Sequence, residues 1–156
     1  PVIILSILYK NRSLESIIEV LQRQNKLFLA RIDELEENGK EQQVTIYSDS
    51  KTDKITLKFK DIIWIKSADN YIEIYYLMND ILGKKLIRNT LKNIEIQLAD
   101  RPEFIRSHRT SIVNISYSEK LVRSYSGFSL KMSHIEQNAP ISRQYIVLIK
   151  DAISSL

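Results

Sequence analysis

Between Ile4 and Leu35 apolar side chains return in a heptad rhythm. With Ile4, Asn11, Ile18, Asn25 and Ile32 as a positions, the d positions are Ile7, Leu14, Leu21, Phe28 and Leu35. The register runs through five repeats without a stutter, which favours a coiled coil over a general amphipathic helix. Isoleucine at a with leucine at d favours two parallel strands. Asparagine at a lowers stability but fixes register and strand number. Lys10 can reach Glu15 of a partner helix, and Arg31 can reach Glu36. Exposed pairs of this kind contribute roughly a few tenths of a kcal/mol, so they select a partner more than they hold it. The same pattern also fits one long helix packed on its own domain.

Beyond this stretch the period changes. Gly39 predicts the helix end, and ENGKEQQ (37–43) reads as a polar link. The expected organisation is a helical stalk over residues 1–38, a linker over 39–43 and a second domain over 44–156. In that domain Ile55, Leu57 and Phe59 alternate with lysines and a threonine, and Ile72, Ile74 and Tyr76 alternate with Tyr71, Glu73 and Tyr75. A period of two predicts strands with one face buried. Further strands are expected at 44–48, 62–66, 84–88, 110–115, 120–125 and 128–132, with turns at 78–80 and 126–127. Two helices interrupt them, over 90–99 with Thr90 as N-cap and over 142–154 with Ser142 as N-cap. The fold class is mainly β with two short helices, preceded by a long N-terminal helix.

With 44% hydrophobic residues the chain can bury a core, so wholesale disorder is not expected. It has no cysteine, which removes disulfides, zinc–thiolate sites and a thiol nucleophile. Its three glycines, Gly39, Gly83 and Gly127, are too far apart for a phosphate-cradling loop. Charge is unevenly spread. Residues 1–43 hold six Lys/Arg against seven Asp/Glu, and residues 44–156 hold seventeen against twelve. A basic second domain favours a polyanionic partner. The chain begins at Pro1 rather than Met and is expected to be a fragment or processed product. PVIILSIL (1–8) is too short to span a bilayer but could be the end of a membrane helix.

Candidate chemistry concentrates in FIRSHRTSIVN (104–114). The two histidines, His108 and His134, have no carboxylate at ligand spacing, so no metal site is expected. No serine lies in a nucleophile-elbow sequence, and an enzyme has no positive support. Nor is a cofactor expected. Arg106, His108 and Arg109 can hold an anion, and Arg109 can bind a phosphate or the O6 and N7 of guanine through two parallel hydrogen bonds. A solvated charged turn explains the same letters. Ser142, Arg143 and Gln144 open a helix, where free N–H groups attract phosphate or make a simple cap. The polar loop Ser67–Tyr71 lies between two apolar strands and is also readable as an ordinary connection.

Taken in order, IIWIKSADNYIEIYY, LIRNTLKNIEIQL, FIRSHRTSIVNI and PISRQY resemble the LytTR family of bacterial DNA-binding domains over about residues 44–156. The resemblance implies an elongated arrangement of small β-sheets with short helices. It implies a transcription regulator that inserts loops into successive major grooves of direct repeats in double-stranded DNA and bends the duplex. The implied DNA-binding residues are Asn70, Tyr71, Ile72, Arg106, His108, Arg109, Ser142, Arg143 and Gln144, with Arg109 and Arg143 nearest to bases. Arg106, His108, Ser142 and Gln144 would support them or touch the DNA backbone, and Lys84 and Lys85 would add phosphate contacts. Lys66 departs from the family, which more often has an acid there. Ile72 stands where some members carry a polar base-reading side chain. Residues 1–43 cannot hold a receiver domain. The expected partners are therefore DNA, a second copy through residues 4–35, and a membrane or sensor tether at the N-terminus. The DNA-binding domain would lie in the cytoplasm, with tethering to the inner membrane an open option. The rival is a non-enzymatic signalling or scaffold module that binds a protein through an edge strand.

Overall fold

The computed structural model describes residues 1–156, except the side chains of residues 37–41. The chain divides into two compact units, Pro1–Gln42 and Gln43–Leu156. The first is one helix, α1, over Val2–Glu41. Its seam is in solvent: Ile4, Ile7, Leu14, Ile18, Leu21, Phe28 and Leu35 are all exposed. The helix continues past Gly39 to Glu41, two residues beyond the end expected there.

The second unit has ten strands in three antiparallel sheets. Strands β1 (Gln43–Tyr47) and β2 (Lys54–Lys58) form a hairpin. Strands β3 (Ile62–Ala68), β4 (Tyr71–Met78), β5 (Ile81–Ile87), β6 (Phe104–His108) and β7 (Ser111–Asn114) form the central sheet, in the order β5-β4-β3-β7-β6. The third sheet joins β8 (Ser118–Ser124), β9 (Gly127–Met132) and the short β10 (Ala139–Pro140). Helices α2 (Leu91–Gln97) and α3 (Ile146–Ser154) complete the unit.

Strand β3 organises the core. Its run Ile62-Ile63-Trp64-Ile65 is buried throughout because both faces of the central sheet are covered. An irregularity in its pairing with β4 between Ile62 and Trp64 breaks the simple alternation. Ile62 and Ile65 join one cluster with Ile46 and Leu57 of the hairpin and Leu91 and Ile94 of α2. Ile63 and Trp64 join a second with Leu130 and Met132 of β9 and Ile149 of α3. The indole N–H of Trp64 donates to Ser111 Oγ at 2.6 Å, so this largest buried side chain leaves no polar atom unpaired. Asn114 is buried for a similar reason: its amide donates to Ile62 O at 2.8 Å and accepts from Ser116 N–H at 3.1 Å.

Thr90 caps α2 as expected, accepting from Asn93 N–H at 3.3 Å. Two local expectations change. Residues 104–108, outside the expected strands and open to reading as a charged turn, are strand β6. Ser142 makes no side-chain cap; a 3-10 turn over Arg143–Tyr145 intervenes, and α3 begins at Ile146.

Candidate nucleic-acid interface

The β3–β4 connection is a two-residue turn, Asp69-Asn70, closed by the Ala68–Tyr71 pair. Asp69 takes a left-handed φ of 55°, a conformation that Asp and Asn tolerate better than most residues. Asn70 and Tyr71 are exposed. Ile72 is not available for base contact: its side chain is 0% exposed and packed in the first core cluster. The alternation that carries Tyr71 and Glu73 outward carries Ile72 inward.

The β6–β7 hairpin turns at Arg109-Thr110. Its pairing register shifts between Arg106 and His108, and Ser107 is fully buried there. Arg106 is spent on holding the turn. Its Nε donates to His108 O at 2.8 Å, one terminal nitrogen donates to Arg109 O at 2.7 Å, and the other meets Glu95 Oε2 of α2 at 3.1 Å. His108 Nδ1 accepts from Thr110 N–H at 3.2 Å and lies 2.7 Å from Thr110 Oγ1. That geometry puts the proton of the neutral ring on Nε2. Burial, then the charges of Arg109 and Arg106, hold the imidazole pKa below its ordinary value. Arg109 stands at the tip, exposed, with no carboxylate partner among the described residues.

Two backbone bonds set the turns side by side. Ser67 N–H donates to Thr110 O at 2.9 Å, joining the β3–β4 turn to the β6–β7 turn. Ser142 N–H donates to Ser107 O at 2.8 Å, joining the third segment. Arg143 and Gln144 are exposed beyond it. In place of the α-helical start expected at Ser142 stands a 3-10 turn: Ser142 N–H serves β6, and Tyr145 N–H donates to Ser142 O at 2.9 Å. Arg143 would act through its side chain.

A cleft of about 360 Å³ runs from the first turn to the second, bordered by Asp69, Asn70, Tyr71, Arg88, Lys92 and Arg109. Arg88 and Lys92 are exposed cations that the sequence reading did not single out. They flank the Thr90 cap, and the signal was present in RNTLK, read only as a helix start. The two lysines expected to touch phosphate have other partners. Lys85 Nζ lies 2.9 Å from Asp53 Oδ2. That hydrogen bond is the main reason the Asp53 carboxyl titrates below its usual range. Lys84 approaches Glu73 at 3.8 Å, and Lys66 approaches the same carboxylate at 3.2 Å. Burial raises the Glu73 pKa, but hydrogen bonds from Tyr75 and Lys66 outweigh it and the net shift is downward. Lys66 also sits 5.4 Å from the Trp64 ring centre and 5.7 Å from that of Tyr75. It is a surface staple between β3 and β4.

No group of three or more potential metal ligands occurs among the described residues. No described helix is long and apolar enough to cross a membrane. The arrangement is instead a set of short polar segments, two of them tipped by the exposed cations Arg109 and Arg143, with Arg88 and Lys92 nearby, suited to a polyanion.

Comparison with known proteins agrees with that chemistry. A curated relative, an uncharacterized response regulatory protein of Vibrio cholerae serotype O1, is 28% identical over 125 residues, covering 78% of this chain and 46% of the relative. The chain thus spans less than half the length of that relative. Among solved structures, the LytTr DNA-binding domain of a Bacillus cereus protein superposes with a TM-score of 0.52 at 21% identity, covering 72% of this chain and 96% of the other, which supports the fold. The family model of the LytTr DNA-binding domain matches residues 52–154, and the chain belongs to that family.

Proposed function

We propose that this chain is a sequence-specific transcription regulator that inserts its turns into successive major grooves of direct-repeat sites in duplex DNA. The observation that carries the reading is the pair of backbone bonds, Ser67 N–H to Thr110 O and Ser142 N–H to Ser107 O, which gather three polar turns into one surface. Asn70, Arg109 and Arg143 are the base-contacting candidates, because each is exposed. Tyr71, His108 and Gln144 would reach sugar and phosphate, with His108 donating from Nε2. Arg106 and Ser142 are positioning residues. Arg88 and Lys92 would add phosphate contacts across the cleft.

A parallel homodimer through α1 would bring two domains to two repeats and raise the effective concentration for the second contact. It is supported by the exposed a and d side chains and by asparagine at two a positions. The test is binding to a duplex enriched from a random-sequence library by the wild-type chain. Arg109→Ala and Arg143→Ala should each cost about 1–3 kcal/mol and relax preference at one base position. Unchanged affinity in both variants would remove these residues from the interface.

A second reading, a module that docks a protein by strand addition, draws on β5. It is an edge strand of the central sheet, with Ile81, Leu82 and Leu86 exposed. Duplex affinity that does not fall between low and moderate salt would favour that reading over DNA.

A further inference from the structure

A second groove, of about 500 Å³, has Arg143 in its wall. It is bordered by the tip of the β8–β9 hairpin, from Arg123 to Phe128, and by Ile141, Arg143 and Ile146. Among the described residues no acidic side chain lines it. The hairpin closes with the Ser124–Gly127 pair around the two-residue turn Tyr125-Ser126. Gly127 has a φ of 132°, which a side chain would resist, so the sharp reversal depends on glycine. The reversal leaves Tyr125 fully exposed at the tip.

Phe128, on the wall of this groove, gathers two cations, one of them from outside the groove lining. Phe128 pairs across the hairpin with Arg123. The Arg123 guanidinium lies 5.7 Å from the Phe128 ring centre, and the Lys150 ammonium of α3 lies 5.2 Å from it. One ring thus gathers two cations from separate elements. No ion pair within 4.0 Å neutralises Arg123, Arg143 or Lys150 among the described residues. The quadrupole of the ring attracts each cation weakly, while the cations repel each other. A DNA phosphate meeting either cation would make a charge-assisted hydrogen bond and offset the repulsion.

We propose that the groove between the β8–β9 hairpin tip and Arg143, with Arg123 and Lys150 gathered on Phe128, is a second duplex-binding surface that grips the phosphodiester backbone without reading bases. The proposal rests on the DNA-binding reading above and extends the interface beyond the three turns. Arg143 borders this groove and follows Ser142, whose N–H is bonded to Ser107 O of the turn surface. Tyr125 reaches past the backbone cations, where its ring and hydroxyl meet sugar and phosphate. A contact of this kind lends affinity equally to all sequences and steepens the dependence on salt.

The experiment measures binding of the full chain to the library-enriched duplex and to poly(dI-dC) over a salt series. Arg123→Ala and Lys150→Ala should each weaken binding to both duplexes by a similar factor, roughly five- to tenfold at 0.1 M salt. Each should also reduce the slope of log affinity against log salt by about 0.9. The ratio between the two duplexes should stay constant, whereas Arg109→Ala should lower it. Unchanged affinity and slope in the Arg123 and Lys150 variants, with Arg109→Ala still impaired, overturns the second surface and leaves the turn interface standing. A lowered duplex ratio in the Arg123 variant also overturns it, because the residue would then read sequence. Failure of the wild-type chain to bind either duplex overturns the DNA reading itself. Both side chains are exposed, so circular dichroism should report unchanged folding.

Discussion

Arg106→Ala separates positioning from contact. Its guanidinium joins three groups at once: His108 O, Arg109 O and the Glu95 carboxylate. A hydrogen bond to a charged group is worth about 1.5–3 kcal/mol. The Glu95 pair, with a half-exposed carboxylate, adds about 0.2–1 kcal/mol. Water can replace the arginine at the carbonyl of exposed Arg109, so the net stability loss should be about 2 kcal/mol, read from urea unfolding midpoints. Arg106→Lys should recover little of this, because one ammonium cannot span two carbonyls and a carboxylate. The consequence for DNA follows from what the bonds hold. Without them the Arg109 turn loosens, and affinity should fall by about 1 kcal/mol, part of the value of one base contact. The double variant Arg106→Ala/Arg109→Ala should then bind no more weakly than Arg109→Ala alone, since a positioning residue has nothing left to position. The salt slope of Arg106→Ala should match that of wild type. Losses that add within about 0.3–0.5 kcal/mol, or a slope reduced by about 0.9, would refute the reasoning and make Arg106 a phosphate contact in its own right.

Two further outcomes are expected. The His108 imidazole titrates below its ordinary value in the fold, so the unfolded chain binds more protons between the folded pKa and about 6.5. Stability should therefore fall as pH drops through about 6.5 and level off below the folded pKa; urea midpoints of His108→Gln should lack this component, and an identical acid profile would refute it. In α1, Ile18→Asp with Leu21→Asp should turn a sedimenting dimer into a monomer, and a wild-type monomer at high concentration would remove the stalk from the proposal.

Legibility followed the regularity of the burial pattern. The heptads of α1 and the alternation in β2 and β4 were visible because one face repeats. Strand β6 was not, because its pairing shifts at buried Ser107 and polar letters at Arg106 and His108 imitate a loop. Ile72 is instructive in the other direction. Its place beside Ile74 in an alternating strand already marked it as buried, and only the family resemblance put it among the DNA contacts. Long-range partners were beyond reach: Lys85 meets Asp53 from 32 residues away, and Arg106 is consumed by main-chain carbonyls that carry no letter in a sequence. Arg88 and Lys92 were readable as cations, but only folding brings them to the same cleft as Arg109.

The bonds from Ser67 to Thr110 and from Ser142 to Ser107 use main-chain atoms only. Substitution anywhere in the three turns leaves those donors and acceptors in place, unless proline removes one. On the proposed reading, Asn70, Arg109 and Arg143 are thus exchangeable parts on a fixed mount. Preference can drift one side chain at a time while the spacing between tips is retained. An inserted residue would shift the donor or acceptor out of line and loosen two turns together. In a lineage of such domains, divergence should accumulate as replacements at the tips, with the lengths of the turns held constant.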